Sequence, residues 1–138
     1  MNLVSTWDKT WVFFAEQYLA GAAPPGIPSL YDFVDAGWSP SDREQLLWYL
    51  EHAPTLMTLG PDVRCPLCHE QLGNVRCWRS DGLWCWRDDL SHYVRKHSVR
   101  LPDAMVERIR IRRYMLPEPS EVDWPELSMP GKCEHPDK

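Results

Sequence analysis

The chain has 138 residues, of which 43% are apolar, 12% aromatic and 25% charged, a balance that suits one folded domain and excludes a disordered chain. Its formal net charge is −5, and no run approaches the roughly eighteen consecutive apolar residues of a membrane span, so no membrane contact is expected. Eight Trp and thirteen Pro imply large rings to bury and short, interrupted elements.

Five Cys, an odd number, fit a closed disulfide framework badly. Asp8 and Glu16 stand where a secretory leader would be basic, which points to the cytoplasm. Charge is unevenly spread. Residues 1–63 carry two basic and eight acidic side chains, residues 64–116 eleven and six, and residues 117–138 two and six. A basic middle between acidic flanks reads first as an internally complementary fold and second as a nucleic-acid footprint.

The first element is expected as a helix from Ser5 to about Ala20. Trp7, Trp11, Phe14 and Tyr18 recur at helical spacing, and Ser5 with Asp8 resembles a capping box. A loop over residues 21–26 follows, then a short helix from Ser29 to Ala36 with Leu30, Phe33 and Val34 inward. Ser39-Pro40 reads as the start of a third helix running to about His52, with Leu46, Leu47 and Leu50 on its core side.

From Asp62 the texture changes. Cys65-Pro66-Leu67-Cys68 predicts a tight turn, and a stretch with Val75 and Trp78 precedes the turn signal Ser80-Asp81-Gly82. Leu83 to Trp86 then completes a hairpin. A helix from Asp88-Asp89 carries Leu90, His92, Tyr93, Val94 and His97, and another starts at Leu101-Pro102-Asp103 with Met105, Val106 and Ile109 as core. Beyond Leu116 five prolines and an acidic excess predict an extended tail with Trp124, Leu127 and Met129 as anchors, wrapping over its own body or serving a partner.

One constellation carries chemistry: Cys65-x2-Cys68-x23-His92-x4-His97. Two thiolates on a turn and two imidazoles from one helix make the four-ligand set that tetrahedral zinc prefers. The His spacing spans about 140° of an ideal helix, so the helix has to loosen at its end. The middle spacing is about twice that of a DNA-reading finger, so the site is finger-like with an enlarged hairpin. A redox Cys-x-x-Cys is the rival, but it leaves the His pair unexplained.

Four protein ligands close the coordination sphere, so the expected role of zinc is structural and no enzyme activity is expected. No Gly-rich phosphate loop, serine elbow or deaminase pattern accompanies the site. Cys77 and Cys85 flank the hairpin turn and are read as small buried residues, or as a facing pair. Cys133-x-His135 is a weak second metal candidate.

Two surfaces are candidates for binding. Trp78, Trp84 and Trp86 of the hairpin are either an interface centre or filling for a small core. Segment 95–113 is basic, but Arg108 and Arg112 lie on a different flank of the predicted helix from Arg110 and Arg113. Phosphate binding needs more convergence than that.

The run from Gly82 to Pro102, with Leu90-x-His92-Tyr93-Val94-x-x-His97-x-Val99-x-Leu101-Pro102 after a Cys pair, resembles a group of small uncharacterised bacterial proteins. The resemblance covers residues 64–110. It implies a zinc-bound module with Cys65, Cys68, His92 and His97 as ligands, and it brings no activity.

The expectation is therefore an α+β, mainly helical protein. Residues 1–116 form one compact domain, helical over 1–60 and a ββα-like zinc module over 62–116, with a Pro-rich acidic tail over 117–138. Its expected role is non-catalytic protein interaction, as an immunity-type inhibitor or adaptor with a basic protein partner. Nucleic-acid binding through 95–113 is the alternative.

Overall fold

A computed structural model describes residues 4–6, 9–17 and 26–122. The fold is α+β, and the described residues form five strands in one sheet and three α-helices. In chain order these are β1 (Val4–Thr6), β2 (Lys9–Val12), α1 (Arg43–His52), β3 (Thr55–Arg64), β4 (Gln71–Ser80), β5 (Trp84–Arg87), α2 (Leu90–His97) and α3 (Asp103–Ile111). The sheet order is β1-β2-β5-β4-β3, antiparallel throughout except for the parallel β2–β5 pair.

The predicted helix over 5–20 is absent from its described part. Ser5 pairs with Thr10 across the β1–β2 hairpin, so it stands in a strand and not at a helix start. A single 3-10 turn, Ala15–Gln17, follows. The reason is tertiary. β-Branched and aromatic residues suit a pleated strand, and Thr10, Trp11 and Val12 find partners in Trp84, Cys85 and Trp86. The aromatic spacing fits a helix, but strand pairing outweighs it. Tyr18 to Ala20 lie outside the described residues.

The second segment is a 3-10 turn, Leu30–Phe33, capped by the Ser29 hydroxyl. α1 begins later than Ser39-Pro40 suggests, because residues 41 and 42 form a turn and Asp42 turns its carboxylate elsewhere. β3 is the largest departure. Residues 1–60 read as helical, yet the strand starts at Thr55 and runs through Gly60-Pro61 by shifting register between Leu59 and Val63. A bulge on an edge strand accommodates a proline, which has no N–H to offer the ladder.

The β4–β5 hairpin forms at its predicted place. Its register sets Ser80 opposite Cys85, whereas Cys77 pairs with Met57 of β3, so the two Cys do not face each other. One buried cluster extends from Val12 to Ile109 and includes Trp84 and Trp86 with Leu46, Leu50, Tyr93 and Met105. Trp86 donates its ring N–H to Leu50 O at 3.1 Å. On the opposite side of the sheet, Trp78 stacks on Phe13 at 5.3 Å, with the Arg87 guanidinium 5.8 Å from the Phe13 ring. β5 is consequently buried on both faces.

A buried ion pair anchors the start of α2. Arg87 grips Asp89 with two bonds of 2.7 and 2.6 Å, Tyr93 donates to the same carboxylate at 2.6 Å, and Gln17 Nε2 adds a fourth bond at 3.1 Å. Burial pushes the Asp89 carboxyl upward, but the Arg87 and Tyr93 hydrogen bonds outweigh it and hold the group below the ordinary carboxylate range. Removing one partner would strand a buried charge. Arg87→Met is expected to cost about 3–5 kcal/mol in urea unfolding of the metal-loaded protein. Arg95→Ala, which breaks an exposed pair with Glu51, should cost less than about 1 kcal/mol.

Asp42 ties α1 to the end of α3. Arg110 donates to it at 2.9 and 2.8 Å and Tyr114 at 2.6 Å. The Arg110 bonds, against burial and with help from Tyr114, lower its pKa from 3.8 to about 2. A depressed carboxyl stabilises the native state above its unfolded pKa and loses that contribution as pH falls through the folded one. Asp42→Asn should therefore cost about 1 kcal/mol at neutral pH, since half-exposed Arg110 limits the pair. The gap from the parent protein should close between pH 3.8 and about 2, as read from urea midpoints across that range.

Candidate metal centre

Cys65 and Cys68 occupy the loop that joins β3 to β4. The loop is closed by Cys65 N–H to Glu70 O at 3.0 Å and His69 N–H to Cys65 O at 2.8 Å. His69 takes a left-handed conformation with φ of 65°, an uncommon state for a residue with a side chain that tightens the turn before β4. Inside the turn, Leu67 N–H points at the Cys65 sulfur at 3.3 Å. Cys65 is buried and Cys68 exposed.

α2 supplies the other two side chains. His92 stands in its first turns and His97 is its last residue, after which Ser98 adopts φ of 54° and returns its N–H to Tyr93 O. That left-handed exit ends the helix at His97. The two His rings meet at 5.2 Å between centroids.

The four ligand atoms converge. Cys65 Sγ lies 3.3 Å from His97 Nε2, and Cys68 Sγ lies 3.5 Å from His92 Nε2. All four lie within 4.8 Å of one another, a cluster that can hold a metal ion. Burial lowers the His92 pKa, with His97 and Lys96 adding to the effect against the pull of Glu70. That favours the neutral imidazole that ligation requires. Burial also raises the Cys65 thiol, so a metal has to displace its proton.

α2 is also held from outside. Arg43, at the start of α1, donates to Val94 O at 3.1 Å and to Arg95 O at 2.8 Å. It thereby satisfies carbonyls that the helix end leaves open. Tyr31 reaches the Cys loop through a hydroxyl bond to Pro66 O at 3.4 Å. Neither Arg43 nor Tyr31 stands out in the sequence, because no short-range pattern encodes a contact with a helix end 51 residues away.

The other candidate residues are placed differently. Trp78, Trp84 and Trp86 are 2%, 6% and 0% exposed, so they fill the core and offer no surface to a partner. Arg108 turns inward to Asp81 at 3.1 Å, and Arg112 donates to Met115 O at 3.1 Å. Elsewhere in the basic segment, Arg95 pairs with Glu51 and Glu44, Arg100 with Asp35 and Asp103, and Arg110 with Asp42. Cys85 is buried, and Cys133 and His135 lie outside the described residues.

Compared with models of protein families, with curated proteins and with solved structures, the chain matches none. No family or relative thus supports the resemblance of residues 64–110 to a bacterial group, and what the structure bears out of it is the convergent Cys/His cluster.

Titration with Co2+ is expected to give one equivalent bound with the visible bands of a tetrahedral thiolate site. Acidification should release the ion as the thiols and imidazoles regain protons. Cys68→Ser or His97→Ala should abolish the bands. Unchanged bands in both variants would mean the ion sits elsewhere.

Proposed function

We propose that this chain is a non-catalytic protein-interaction module stabilised by a single zinc ion, working as an immunity-type inhibitor or adaptor on a basic protein partner. The observation that carries the reading is the convergence of Cys65, Cys68, His92 and His97. Zinc bonds of about 2.3 Å to sulfur and about 2.05 Å to nitrogen give a tetrahedron with S···N edges of about 3.6 Å. Two Sγ···Nε2 edges of the cluster, 3.3 and 3.5 Å, lie close to that value. Two thiolates and two neutral imidazoles also cancel the charge of the ion, which suits a partly buried site.

A complete four-ligand sphere favours a structural role, since water and substrate have no coordination position left. The metal would then fold the β3–β4 loop against α2, an arrangement in which metal binding and folding share one free energy. Among the described residues no helix is long and apolar enough to cross a membrane.

The rival reading is nucleic-acid binding through segment 95–113. Several of its guanidiniums already face carboxylates, among them Arg95, Arg100, Arg108 and Arg110. A phosphate backbone would have to displace those partners. A titration of the zinc-loaded protein against duplex and single-stranded DNA and RNA at low and moderate salt should give no binding. Tight binding with a steep loss on adding salt, weakened by neutralising Arg112, would reverse the assignment.

A further inference from the structure

We propose that the groove on either side of Arg100 docks a basic segment of the protein partner, an assignment that rests on the interaction-module reading above. Two clefts, of about 540 and about 780 Å³, share Arg100 as a common wall. Trp38, Val106 and Ile111 line the first, and Phe33 and Val34 the second. Apolar surface is left in water at both, since Ile111 is 73% and Val34 43% exposed. The interior of the fold accommodates three Trp of the hairpin, so exposed aliphatic side chains lining a concave surface call for another occupant.

Charge selects the occupant. The cations of the groove are already neutralised. Arg100 lies between Asp35 at 3.2 Å and Asp103 at 2.9 Å, and Arg110 is gripped by Asp42 at 2.8 Å. Asp32 and Glu107 are exposed on the rims of the two clefts, and Asp103 is 83% exposed. The rim is therefore negative. It repels phosphate. A segment that sets one apolar side chain into each cleft and carries Lys or Arg beside them meets both requirements.

The groove is joined to the metal centre. Residues 98–100 directly follow the ligand His97, and Arg100 among them is the wall that the two clefts share. They are pinned to residues 33–35 by Asp35 N–H to Ser98 O at 2.9 Å, Arg100 N–H to Phe33 O at 2.7 Å and the Val34–Val99 bridge. A metal that holds α2 in place thereby holds one side of the binding surface.

The test uses the full-length, zinc-loaded protein and a short labelled peptide of repeated Lys-Pro-Leu units, with its Glu-Pro-Leu counterpart as control. Fluorescence anisotropy should detect the Lys peptide and not the Glu peptide. The double variant Asp32→Lys/Glu107→Lys should weaken the Lys peptide about tenfold. Ile111→Ser should weaken it as well, with the circular dichroism spectrum unchanged. Trp48→Ser, on the exposed side of α1, should have no effect. Loss with Trp48→Ser alone would overturn the groove while leaving the interaction-module reading standing. Failure of the Lys peptide to bind, or a preference for the Glu peptide, would also overturn the groove. The interaction-module reading falls separately, on tight salt-sensitive binding in the nucleic-acid titration.

Discussion

An eight-residue helix does not hold itself together in water, yet α2 presents two of the four ligand atoms. Its geometry has to come from its two ends. At the start, the Arg87–Asp89 pair and the Tyr93 hydroxyl fix the first turn in a buried network. At the finish, Arg43 takes up the last carbonyls and Ser98 turns the chain out of the helix. Between these clamps His92 and His97 are brought to one side, and the Cys loop closes on them. The site thus depends on a helix held in position by contacts that are themselves spread over most of the chain.

The electrostatics follow a similar division of labour. Deeply buried charges are few and tightly bonded: Asp89 holds Arg87, and Asp81 accepts from Tyr49, Arg108 and two backbone amides. Outside them lies a looser set of pairs between the acidic N-terminal half and the basic segment 95–113. Arg95 with Glu51, Arg100 with Asp35 and Arg110 with Asp42 all join parts of the chain far apart in sequence. Such pairs add little stability individually. Together they set which faces meet, and they consume the positive charge that the composition suggests for other uses.

Residues whose partners are nearby in sequence were legible without coordinates. The hairpin at Ser80-Asp81-Gly82, the span of α2 and the ligand pattern belong to this group, since turn chemistry and ligand spacing are local signals. The failures share a different cause. The β1–β2 pair reads as a helix because its aromatic spacing fits one, and the strand partner that overrides it lies at Trp84–Trp86. β3 begins inside the stretch read as helical, and the partner that makes it a strand, β4, lies beyond the Cys loop. The three hairpin Trp were left open between core and interface, and only their near-complete burial decides for the core.

The parallel pairing of β2 with β5 carries a consequence for the order of folding. Thr10 pairs with Trp84, so the β1–β2 hairpin is synthesised well before the strand it docks against. The β3–β4–β5–α2 stretch, by contrast, closes through neighbouring strands with short connections. Non-local parallel contacts form slowly because a long loop must be ordered before they repay the cost. Contact order therefore favours pairing around the Cys loop and hairpin ahead of the docking of β1 and β2. Until then one flank of β5 stays open, a bare edge that a newly made chain has to protect from its neighbours.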